Sequence, residues 1–367
     1  MNRHEPARVL VIKTGALGDV LRTTSILGGL ARRHGPELHV TWVTAAEALP
    51  LLEGLVATGD VAEVLTLGAD ELAGDSDSLV DLGARLAAGG FTRVLSFDDE
   101  EPLCQLATQA AGGDLTRITG AYLDGEGDRR YTEDAAPWFD MGLLSVHGRE
   151  RADALKLANR RSHPDLFAEV VGAPLEPGEG PDPTRLELPP EAVAAATARL
   201  PAFVAGGPLI GLNTGAGGRW TSKSLPEDRV VALALELDRR LEPRPRLALL
   251  GGPEEAERNA RIRTALDGRV TLEDPGTDND LATFGALVAG LDLLVTSDSL
   301  ALHLAIATQR PVVAFFAPTS AAEIELYGRG EKVVSTAADA CSYRRDADTS
   351  TLTVERLADA VGRVLAD

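Results

Sequence analysis

The sequence is poor in cysteine. Its 367 residues include two, Cys104 and Cys341, which lie far apart in the chain. Structural zinc sites and disulfide frameworks need cysteines grouped at short spacings, and the sequence has neither a C-x-x-C pair nor an H-E-x-x-H motif. This scarcity disfavours a zinc site, and we expect each cysteine to serve as a small apolar residue.

Long apolar runs and basic residues are also scarce. No run approaches the roughly 20 apolar residues that a membrane span requires, and Met1 to Ala7 is polar, without the apolar region of a signal peptide. We therefore expect a cytoplasmic protein. The 36 lysines and arginines against 56 aspartates and glutamates give a net charge of −20. That charge disfavours nucleic-acid binding and broad adhesion to anionic lipid.

The common nucleotide-binding motifs are missing. No G-x-G-x-x-G follows the first apolar run, where the glycines are spaced as Gly15-x-x-Gly18. The motif G-x-x-x-x-G-K-S/T is absent as well, which disfavours a P-loop NTPase. A nicotinamide-dependent oxidoreductase built on paired Rossmann-like domains stays open as an alternative, although its usual fingerprint is lacking.

Alternating strand-like and helix-like segments are what the sequence does contain. Short apolar runs such as Val9-Leu10-Val11-Ile12 alternate with segments of helical period. In the first half, strands are predicted at 8–12, 39–44 and 91–97 and helices at 20–33 and 78–88; the stretch 122–161 has no clear period. In the second half, strands are predicted at 209–214, 247–251, 270–272, 291–297 and 312–317 and helices at 226–240, 254–266, 280–289 and 300–308. This alternation predicts an α/β fold with doubly wound parallel sheets.

The stretch from Gly172 to Pro190 divides the chain. It reads "GAPLEPGEGPDPTRLELPP" and is rich in proline, glycine and acidic residues, a composition typical of a linker. We predict an N-terminal domain over 1–180, a C-terminal domain over 181–350 and a terminal helix within 351–367.

Unusual sequence follows the strands of the second domain. Because the carboxyl ends of parallel strands meet at one edge of a sheet, these stretches are expected to form one pocket. They are "NTGAGGRWTSKSLP" (213–226), "GGPEEAE" (251–257), "TSDSLALH" (296–303) and "APTS" (317–320).

Two of these stretches suit an anionic ligand. Glycines before Lys223 would let backbone N–H groups approach a phosphate, and the following helix N-terminus favours negative charge. The alternative is a flexible surface loop with a solvated lysine. Asp298 and Ser299 either cap the next helix or bind a ligand at the pocket rim. His303 lies on about the same helix face as Ser299, and a half-buried packing role is its alternative.

With these residues assembled, the chain resembles glycosyltransferase family 9, the lipopolysaccharide heptosyltransferases. The opening pattern of the family is a strand followed by K-x-x-x-x-G-D-x-L/V, and here the sequence is "KTGALGDVL" from Lys13 to Leu21. The donor signature is D-T/S-G-x-x-H-L-A-A-A followed by P-V-V-x-L-F/Y-G-P-T. Here it is "DSLALHLAIA" from Asp298 and "PVVAFFAPT" ending at Thr319. The family glycines are replaced by Leu300 and Ala317, and the tryptophan of K-x-W-P is replaced by Leu225.

This resemblance implies a GT-B fold, in which two Rossmann-like domains face a cleft and the C-terminal helix often crosses back to the first domain. It implies a nucleotide-sugar donor, typically ADP-heptose, with inversion at the anomeric carbon, no essential metal and no cofactor beyond the donor. The expected partners are that donor and a glycan or glycolipid acceptor, as in lipopolysaccharide assembly. The resemblance also allows a peripheral contact with the inner membrane.

The same resemblance assigns roles to residues. Asp19 is the expected general base for the acceptor hydroxyl, and its alternative is a plain cap of the helix that begins nearby. The donor is expected to contact residues of the second domain. Glu255 is expected at a ribose, and the diphosphate or sugar is expected at the others. These donor residues are Thr214, Gly215, Lys223, Glu255, Asp298, Ser299 and His303.

Two sets of residues predict acceptors of opposite charge. Asp98 and Asp99, in "FDDEE", are expected to contact a polar or cationic acceptor, and their alternative is a solvated, helix-capping acidic turn. Arg149 belongs to a set of arginines that would instead hold a phosphorylated, lipid-linked acceptor; the others are Arg151, Arg160 and Arg161. Other functions also stay open: a GT-B sugar-nucleotide epimerase or hydrolase, and a degenerate sugar-nucleotide-binding protein.

Overall fold

The computed structural model of the chain describes residues 6–74, 77–200, 206–217 and 220–366. The chain divides into two compact units, Met1–Glu187 and Leu188–Asp367, close to the predicted boundary at residue 180. Parts of three predicted segments lie outside the described residues. They are Met1 to Glu5 of the polar N-terminus, Gly218 and Arg219 of the glycine-rich loop, and Asp367 of the terminal helix.

The first unit is built on a six-stranded sheet in the order β3-β2-β1-β4-β5-β6. The first five strands run parallel and β6 runs antiparallel to β5. The central strand β1 is buried at four of its five positions, as expected for an apolar run covered on both faces. The strands are β1 (Arg8–Ile12), β2 (His39–Ala45), β3 (Glu63–Leu67), β4 (Arg93–Ser96), β5 (Ile118–Leu123) and β6 (Arg129–Tyr131).

The predicted single helix at 20–33 is wrong, because the structure has two helices there. Between them the hydroxyls of Thr24 and Ser25 donate to the carbonyls of Leu21 and Arg22. Such bonds back to the preceding turn compete with helix continuation. The helices of the unit are α1 (Leu17–Thr23), α2 (Ile26–His34), α3 (Glu53–Thr58), α4 (Ala69–Leu72), α5 (Asp77–Ala87), α6 (Glu101–Ala110), α7 (Ala136–Phe139), α8 (Arg149–Ala158) and α9 (His163–Val170).

The stretch 122–161, for which the sequence shows no period, contains short elements. After β5 the chain turns through Asp124–Asp128 into β6, then forms α7 and α8. Helix α8 has ten residues and buries only Ala152. A helix that buries so little has no apolar stripe, which explains why its period escapes detection in the sequence.

The second unit has a fully parallel six-stranded sheet in the order β12-β11-β10-β7-β8-β9. The five predicted strands of this half are confirmed, and β12 is additional. Its sequence "GEKVV" is half polar, as suits an edge strand. The strands are β7 (Leu209–Asn213), β8 (Arg246–Leu249), β9 (Thr271–Glu273), β10 (Leu293–Ser297), β11 (Val312–Phe316) and β12 (Gly330–Val334).

Helices flank this second sheet. The helix that opens the unit falls at the end of the predicted linker and was not expected from the sequence. The final helix forms as predicted, and its apolar face, with Leu357 and Val361, packs in the core of this unit. Its packing on the first domain stays a prediction. The helices are α10 (Pro190–Arg199), α11 (Glu227–Arg240), α12 (Ala256–Leu266), α13 (Leu281–Ala289), α14 (Leu300–Ala307) and α15 (Val354–Ala366).

The two cysteines are free thiols. Cys104 is fully buried in α6, and burial, with a smaller contribution from the nearby Asp99, raises the pKa of its thiol to about 12. It is therefore the unreactive apolar residue that the sequence predicts. Cys341 is half-buried. In the described part of the chain, every helix is too short or too polar to cross a bilayer.

Each sheet has one point at which the strand order reverses. In the first unit the reversal lies between β1 and β4, and in the second it lies between β7 and β10. Loops leave the two neighbouring strands in opposite directions there and open a crevice, where ligands of doubly wound sheets bind. Most of the predicted site residues lie next to these two reversals, whereas Arg149 lies in α8.

Candidate active site

The reversal point of the second unit gathers polar side chains from β7 and β10. The Asn213 amide donates to the hydroxyls of Thr296 at 3.2 Å and Ser299 at 3.3 Å. Ser299 is the N-cap residue of α14, yet its hydroxyl does not cap that helix. It lies 3.1 Å from the Thr296 hydroxyl instead. The alternative that the Ser299 side chain simply caps α14 is therefore wrong. Its hydroxyl bonds with Asn213 and Thr296 instead.

Lys223 and Asp298 form an ion pair at the same point. Lys223 belongs to a 3₁₀ turn, Thr221–Lys223, in the loop after β7. Its Nζ donates to the backbone carbonyl of Asp298 at 2.7 Å and to Oδ2 at 3.1 Å. His303, one turn into α14, places Nε2 3.8 Å from Oδ1 of Asp298. The loop lysine is thus held at the strand ends, and it is not a solvated surface residue.

The carboxyl of Asp298 is held as a carboxylate. Burial raises its pKa, but the positive charge of Lys223, the proximity of His303 and the hydroxyl of Thr319 outweigh burial and bring the pKa below its ordinary value. The group is half-buried, so its charge acts in a medium less polar than water. The site therefore keeps an ionised carboxylate and a cation in contact at neutral pH.

Glu255 braces the glycine-rich loop. Its two carboxylate oxygens accept from the backbone N–H groups of Gly217 at 2.7 Å and Gly252 at 2.9 Å. A Cβ at Gly215 would lie 2.4 Å from Cγ of Glu255, so the loop can pass only because that residue is glycine. The expected ribose contact of Glu255 stays a prediction, and the observed role of this carboxylate is to fix the loop.

Arg258 was not identified from the sequence. From α12 its guanidinium donates to the Thr214 hydroxyl at 3.1 Å and to the carbonyls of Thr214 at 3.3 Å and Leu225 at 2.7 Å. Burial lowers its pKa. The available signal was its position three residues after Glu255, which places both side chains on one face of the helical turn.

The three residues that depart from the family pattern are buried or half-buried in the second unit. Leu225 is buried in the core of the second unit, and Ala317 is buried with its carbonyl accepting from the Cys341 amide at 2.8 Å. Leu300 is half-buried as the first residue of α14.

Among the described residues, no group of three or more His, Cys, Asp and Glu could hold a metal ion.

In the first unit, Asp98 lies at the reversal point between β1 and β4. It is 8% exposed and pairs with the equally buried Lys13. Thr14 also donates to Asp98, through its amide and through its hydroxyl at 2.9 Å. The alternative of a solvated acidic turn is therefore wrong for Asp98, because its carboxylate is buried and bonded to Lys13 and Thr14. Asp99 is half-buried, and its carbonyl accepts from Arg129 at 2.8 Å.

Asp19 is the third residue of α1. One carboxylate oxygen accepts from the Ala16 amide at 3.3 Å, and the other lies 2.9 Å from the Arg22 guanidinium. The capping interaction is therefore present. The carboxylate nevertheless remains 37% exposed, so a second molecule can still reach it. Arg22 in turn lies over the ring of Trp138, 5.2 Å from its centroid. The role of Asp19 as a base stays a prediction.

Three arginines of the stretch 122–161 lie near carboxylates. Arg130 pairs with Asp124 and Asp128, Arg161 pairs with Glu169, and the exposed Arg149 lies 3.9 Å from Asp153. These partners offset the charges of those three arginines. Contact of Arg149 with an acceptor stays a prediction.

Comparison with known proteins extends these observations. Residues 146–354 match the profile of glycosyltransferase family 9 (heptosyltransferase). No curated protein sequence matches the chain at a significant level.

Solved structures resemble the fold over its full length. A family 9 glycosyl transferase from Veillonella parvula has a TM-score of 0.75 at 18% identity, covering 99% of this chain and 98% of that one. The E. coli ADP-heptose lps heptosyltransferase II has a TM-score of 0.65 at 19% identity, covering 98% of both chains. E. coli heptosyltransferase WaaC with ADP has a TM-score of 0.59 at 20% identity, covering 98% and 99%. These likenesses confirm the predicted two-domain GT-B fold class.

Proposed function

Because the chain belongs to glycosyltransferase family 9, we propose that it transfers heptose from ADP-heptose to an acceptor hydroxyl, with inversion and without a metal. As a family member it is a glycosyltransferase, so the proposal concerns donor, stereochemistry and acceptor. The observation that carries the proposal is the contact of Lys223, Asp298 and His303 at the strand reversal of the second unit. Asp298 and His303 belong to the stretch that matches the donor signature of the family, and Lys223 belongs to the stretch that resembles K-x-W-P.

The proposed donor site binds the diphosphate at the loop after β7. Lys223 is placed to donate to a phosphate oxygen, and the N-terminus of α14 adds the positive end of its dipole. Thr214 and Gly215 line the same loop, Ser299 and His303 offer polar atoms from α14, and Asp298 accepts from donor sugar hydroxyls. Charge that develops on the leaving diphosphate is stabilised by these fixed groups, a task that a metal performs in other enzymes.

Asp19 is the proposed base. In a single displacement, the acceptor oxygen attacks the anomeric carbon as the bond to the diphosphate breaks, and the hydroxyl proton passes to the Asp19 carboxylate. Attack on the face opposite the leaving group inverts the anomeric configuration. The Arg22 guanidinium, 2.9 Å from the Asp19 carboxylate, holds that side chain in place. A placed base of this kind contributes about 10²–10⁴-fold to the rate.

The acceptor is proposed to be a glycan or glycolipid hydroxyl of lipopolysaccharide or a related glycoconjugate. At the reversal point of the first unit, the cations Lys13 and Arg22 already pair with carboxylates. This pairing favours an acceptor without a phosphate next to the reacting hydroxyl. Asp99 is half-buried at the same edge. We propose that its carboxylate contacts acceptor hydroxyls.

We place the proposed membrane contact in the segment 143–161. Leu143, Val146 and Leu157 are 94%, 70% and 50% exposed there. The segment carries five lysines and arginines against two acidic residues, in a chain of net charge −20. Apolar side chains among basic ones suit an anionic bilayer surface. A protein at the cytoplasmic face of the inner membrane would use it.

Vesicle flotation tests that contact. The wild type should float with vesicles that contain phosphatidylglycerol and not with pure phosphatidylcholine, and the variant L143S/V146S should float less. Equal flotation of the variant would remove the segment from membrane binding.

A thermal-shift panel tests the donor. The ligands are ADP, GDP, UDP, CDP, NAD and ADP-heptose, each with and without EDTA. A ligand that binds only the folded protein stabilises it by about 2.7 kcal/mol at a hundredfold excess over Kd. We expect selective shifts with ADP and ADP-heptose that EDTA leaves unchanged.

Other results would replace parts of the proposal. A shift with UDP or GDP would change the donor, and a shift with NAD would support an oxidoreductase. Loss of the shift in EDTA would contradict metal independence. Release of free sugar from ADP-heptose without acceptor would support an epimerase or hydrolase. Binding without turnover would support a degenerate sugar-nucleotide-binding protein.

A further inference from the structure

Trp138, in α7, belongs to a cluster of aromatic rings in the first unit. Its ring centroid is 5.2 Å from that of His163 and 5.3 Å from that of Phe167, both in edge-to-face geometry. The rings of His163 and Phe167 stack at 3.8 Å, and the Phe97 ring lies 4.8 Å from that of Phe167. His163, Phe167 and Phe97 are each at most 5% exposed. Because buried, closely packed rings can shift little, the cluster fixes the position of the Trp138 ring.

The contacts of Trp138 lead outward to the carboxylate of Asp19. The guanidinium of Arg22 lies over the Trp138 ring, 5.2 Å from its centroid, and one of its nitrogens lies 2.9 Å from the Asp19 carboxylate. The Arg22 side chain is 13% exposed and that of Asp19 is 37% exposed. Exposure therefore rises along one chain of contacts, from the buried rings through Arg22 to the carboxylate that an acceptor must reach.

The two oxygens of that carboxylate are held in different ways. The Ala16 amide donates to one of them at 3.3 Å, and the backbone at the start of α1 fixes this bond. Arg22 holds the other oxygen. An arginine side chain has several rotatable bonds, so it fixes a carboxylate only if its own guanidinium is fixed. The Trp138 ring supplies that restraint, because the negative face of an indole attracts a guanidinium.

We propose that Trp138 is a positioning residue for the transfer reaction. Through Arg22 it keeps the Asp19 carboxylate in the orientation that receives the proton of the acceptor hydroxyl. The proposal rests on the proposed function, since it takes Asp19 to be the base. Trp138 lies outside the motifs of the family pattern and outside the residues that match the family profile.

A double-mutant cycle on Asp19 and Trp138 tests the proposal. The proteins are the wild type, Asp19→Asn, Trp138→Leu and the double variant, with ADP-heptose as donor and deacylated lipopolysaccharide as acceptor. Acceptor-dependent ADP release gives kcat and the acceptor KM, and calorimetry gives the affinity for ADP. Trp138→Phe is the conservative variant, because it keeps an aromatic face for the guanidinium. The matched control is Arg117→Gln, which removes another arginine of this unit that pairs with an aspartate three residues before it, Asp114.

Trp138→Leu should lower kcat about 10- to 100-fold, since a displacement of about 1 Å in a reacting group can have an effect of that size. The acceptor KM and the ADP affinity should change little, Trp138→Phe should keep most of the activity, and Arg117→Gln should match the wild type. In the Asp19→Asn background, Trp138→Leu should have no further effect, because the carboxylate that it positions is gone. A residue that only packs, or that binds the acceptor directly, would lower the rate equally in both backgrounds.

An equal loss in the two backgrounds would overturn the proposal, and so would a wild-type kcat in Trp138→Leu. If Trp138→Leu does not fold, Arg22→Met takes its place in the cycle, because it removes the guanidinium and leaves the rings intact. Loss of its effect in the Asp19→Asn background would support the proposal, and additive losses would contradict it. A wild type that releases no ADP in response to acceptor, or full activity in Asp19→Asn, would instead overturn the proposed function. These failures are distinguishable.

Discussion

Each unit carries a lysine–aspartate ion pair at the point where its strand order reverses. In the first unit the pair is Lys13 with Asp98, and the two side chains are 10% and 7% exposed. In the second it is Lys223 with Asp298, and both side chains are 18% exposed. The same two residue types thus occupy equivalent places in two similar sheets, with different access to solvent.

The difference lies in what holds each partner. Lys13 directly follows β1 and Asp98 follows β4 closely, so two rigid strand ends fix them, and Thr14 completes the enclosure. Lys223 comes from a 3₁₀ turn in a loop, and Asp298 also faces His303. We expect a pair fixed at both ends to have a structural role, and a pair with one partner on a loop to be able to exchange that partner for a ligand. Residue identity alone does not separate these roles.

The largest effect should come from Asp19→Asn. If the first unit supplies the base and the second binds the donor, this change lowers the transfer rate about 10²–10⁴-fold, because the hydroxyl proton has no acceptor. ADP affinity should stay the same, since Asp19 belongs to the other unit. Transfer is measured as ADP release that depends on added acceptor, and ADP binding is measured by calorimetry.

Asp99→Asn is the matched control for that experiment. Asp99 lies half-buried at the corresponding edge of the same sheet, so its loss should change the acceptor KM more than kcat. Full transfer activity in Asp19→Asn would remove Asp19 from the mechanism and leave only its capping contact with Ala16.

The enclosed pair predicts a large loss of stability in Lys13→Met. Removing one partner of a buried ion pair leaves an uncompensated charge and costs about 3–5 kcal/mol. The double variant K13M/D98N should recover most of that loss, because no charge remains buried. Urea unfolding measures both. Wild-type stability in Lys13→Met would show that the first pair is no more structural than the second.

Lys223→Met should produce the opposite result. Its pair is somewhat more exposed, so the free energy of unfolding should fall by less than in Lys13→Met, by about 1–3 kcal/mol. The affinity for the nucleoside diphosphate should fall about 10- to 100-fold, because a charge-assisted bond to phosphate is lost. Calorimetry and urea unfolding on the same sample separate the two quantities. A large stability loss with unchanged affinity would show that the Lys223–Asp298 pair is structural and does not bind the diphosphate.

The sequence predicts most of the fold because buried parallel strands are short, continuous apolar runs. All five predicted strands of the second unit are present, and so are the four strand-end stretches that surround the reversal point. Strands β3 and β5 escaped prediction although they carry buried apolar residues, whereas other missed elements lack that signal. Helix α8 buries a single residue, β12 is half polar, and the predicted first helix is interrupted by hydroxyls that bond to the preceding turn.

The candidate site is predicted less completely, because its contacts join distant parts of the chain. Lys13 and Asp98 are 85 residues apart, and Arg258 and Thr214 are 44 apart. Asp98 in "FDDEE" has the composition of a solvated turn, and only the packing of β1 beside β4 shows that it is buried. Arg258 lies in a strongly charged helix, where its spacing from Glu255 is a weak signal and the loop that it contacts is visible only in the structure.

The smallest predicted effect is a pH dependence of stability that comes from Asp298, the aspartate of the second ion pair. The pKa of Asp298 lies below its ordinary value, because Lys223 and His303 outweigh the effect of burial. A depressed pKa means that ionised Asp298 stabilises the folded protein above the unfolded-state pKa of about 3.9. That stabilisation is lost as the pH falls through the lower, folded-state pKa.

The stability difference between wild type and Asp298→Asn should therefore shrink below about pH 4. Urea unfolding of both proteins between pH 7 and pH 3 measures it, and the titration of all other carboxyls cancels in the difference. A difference that widens in acid would mean that burial dominates and that Asp298 is the more enclosed of the two aspartates. A difference that shrinks supports an aspartate held ionised by a lysine that a phosphate can recruit.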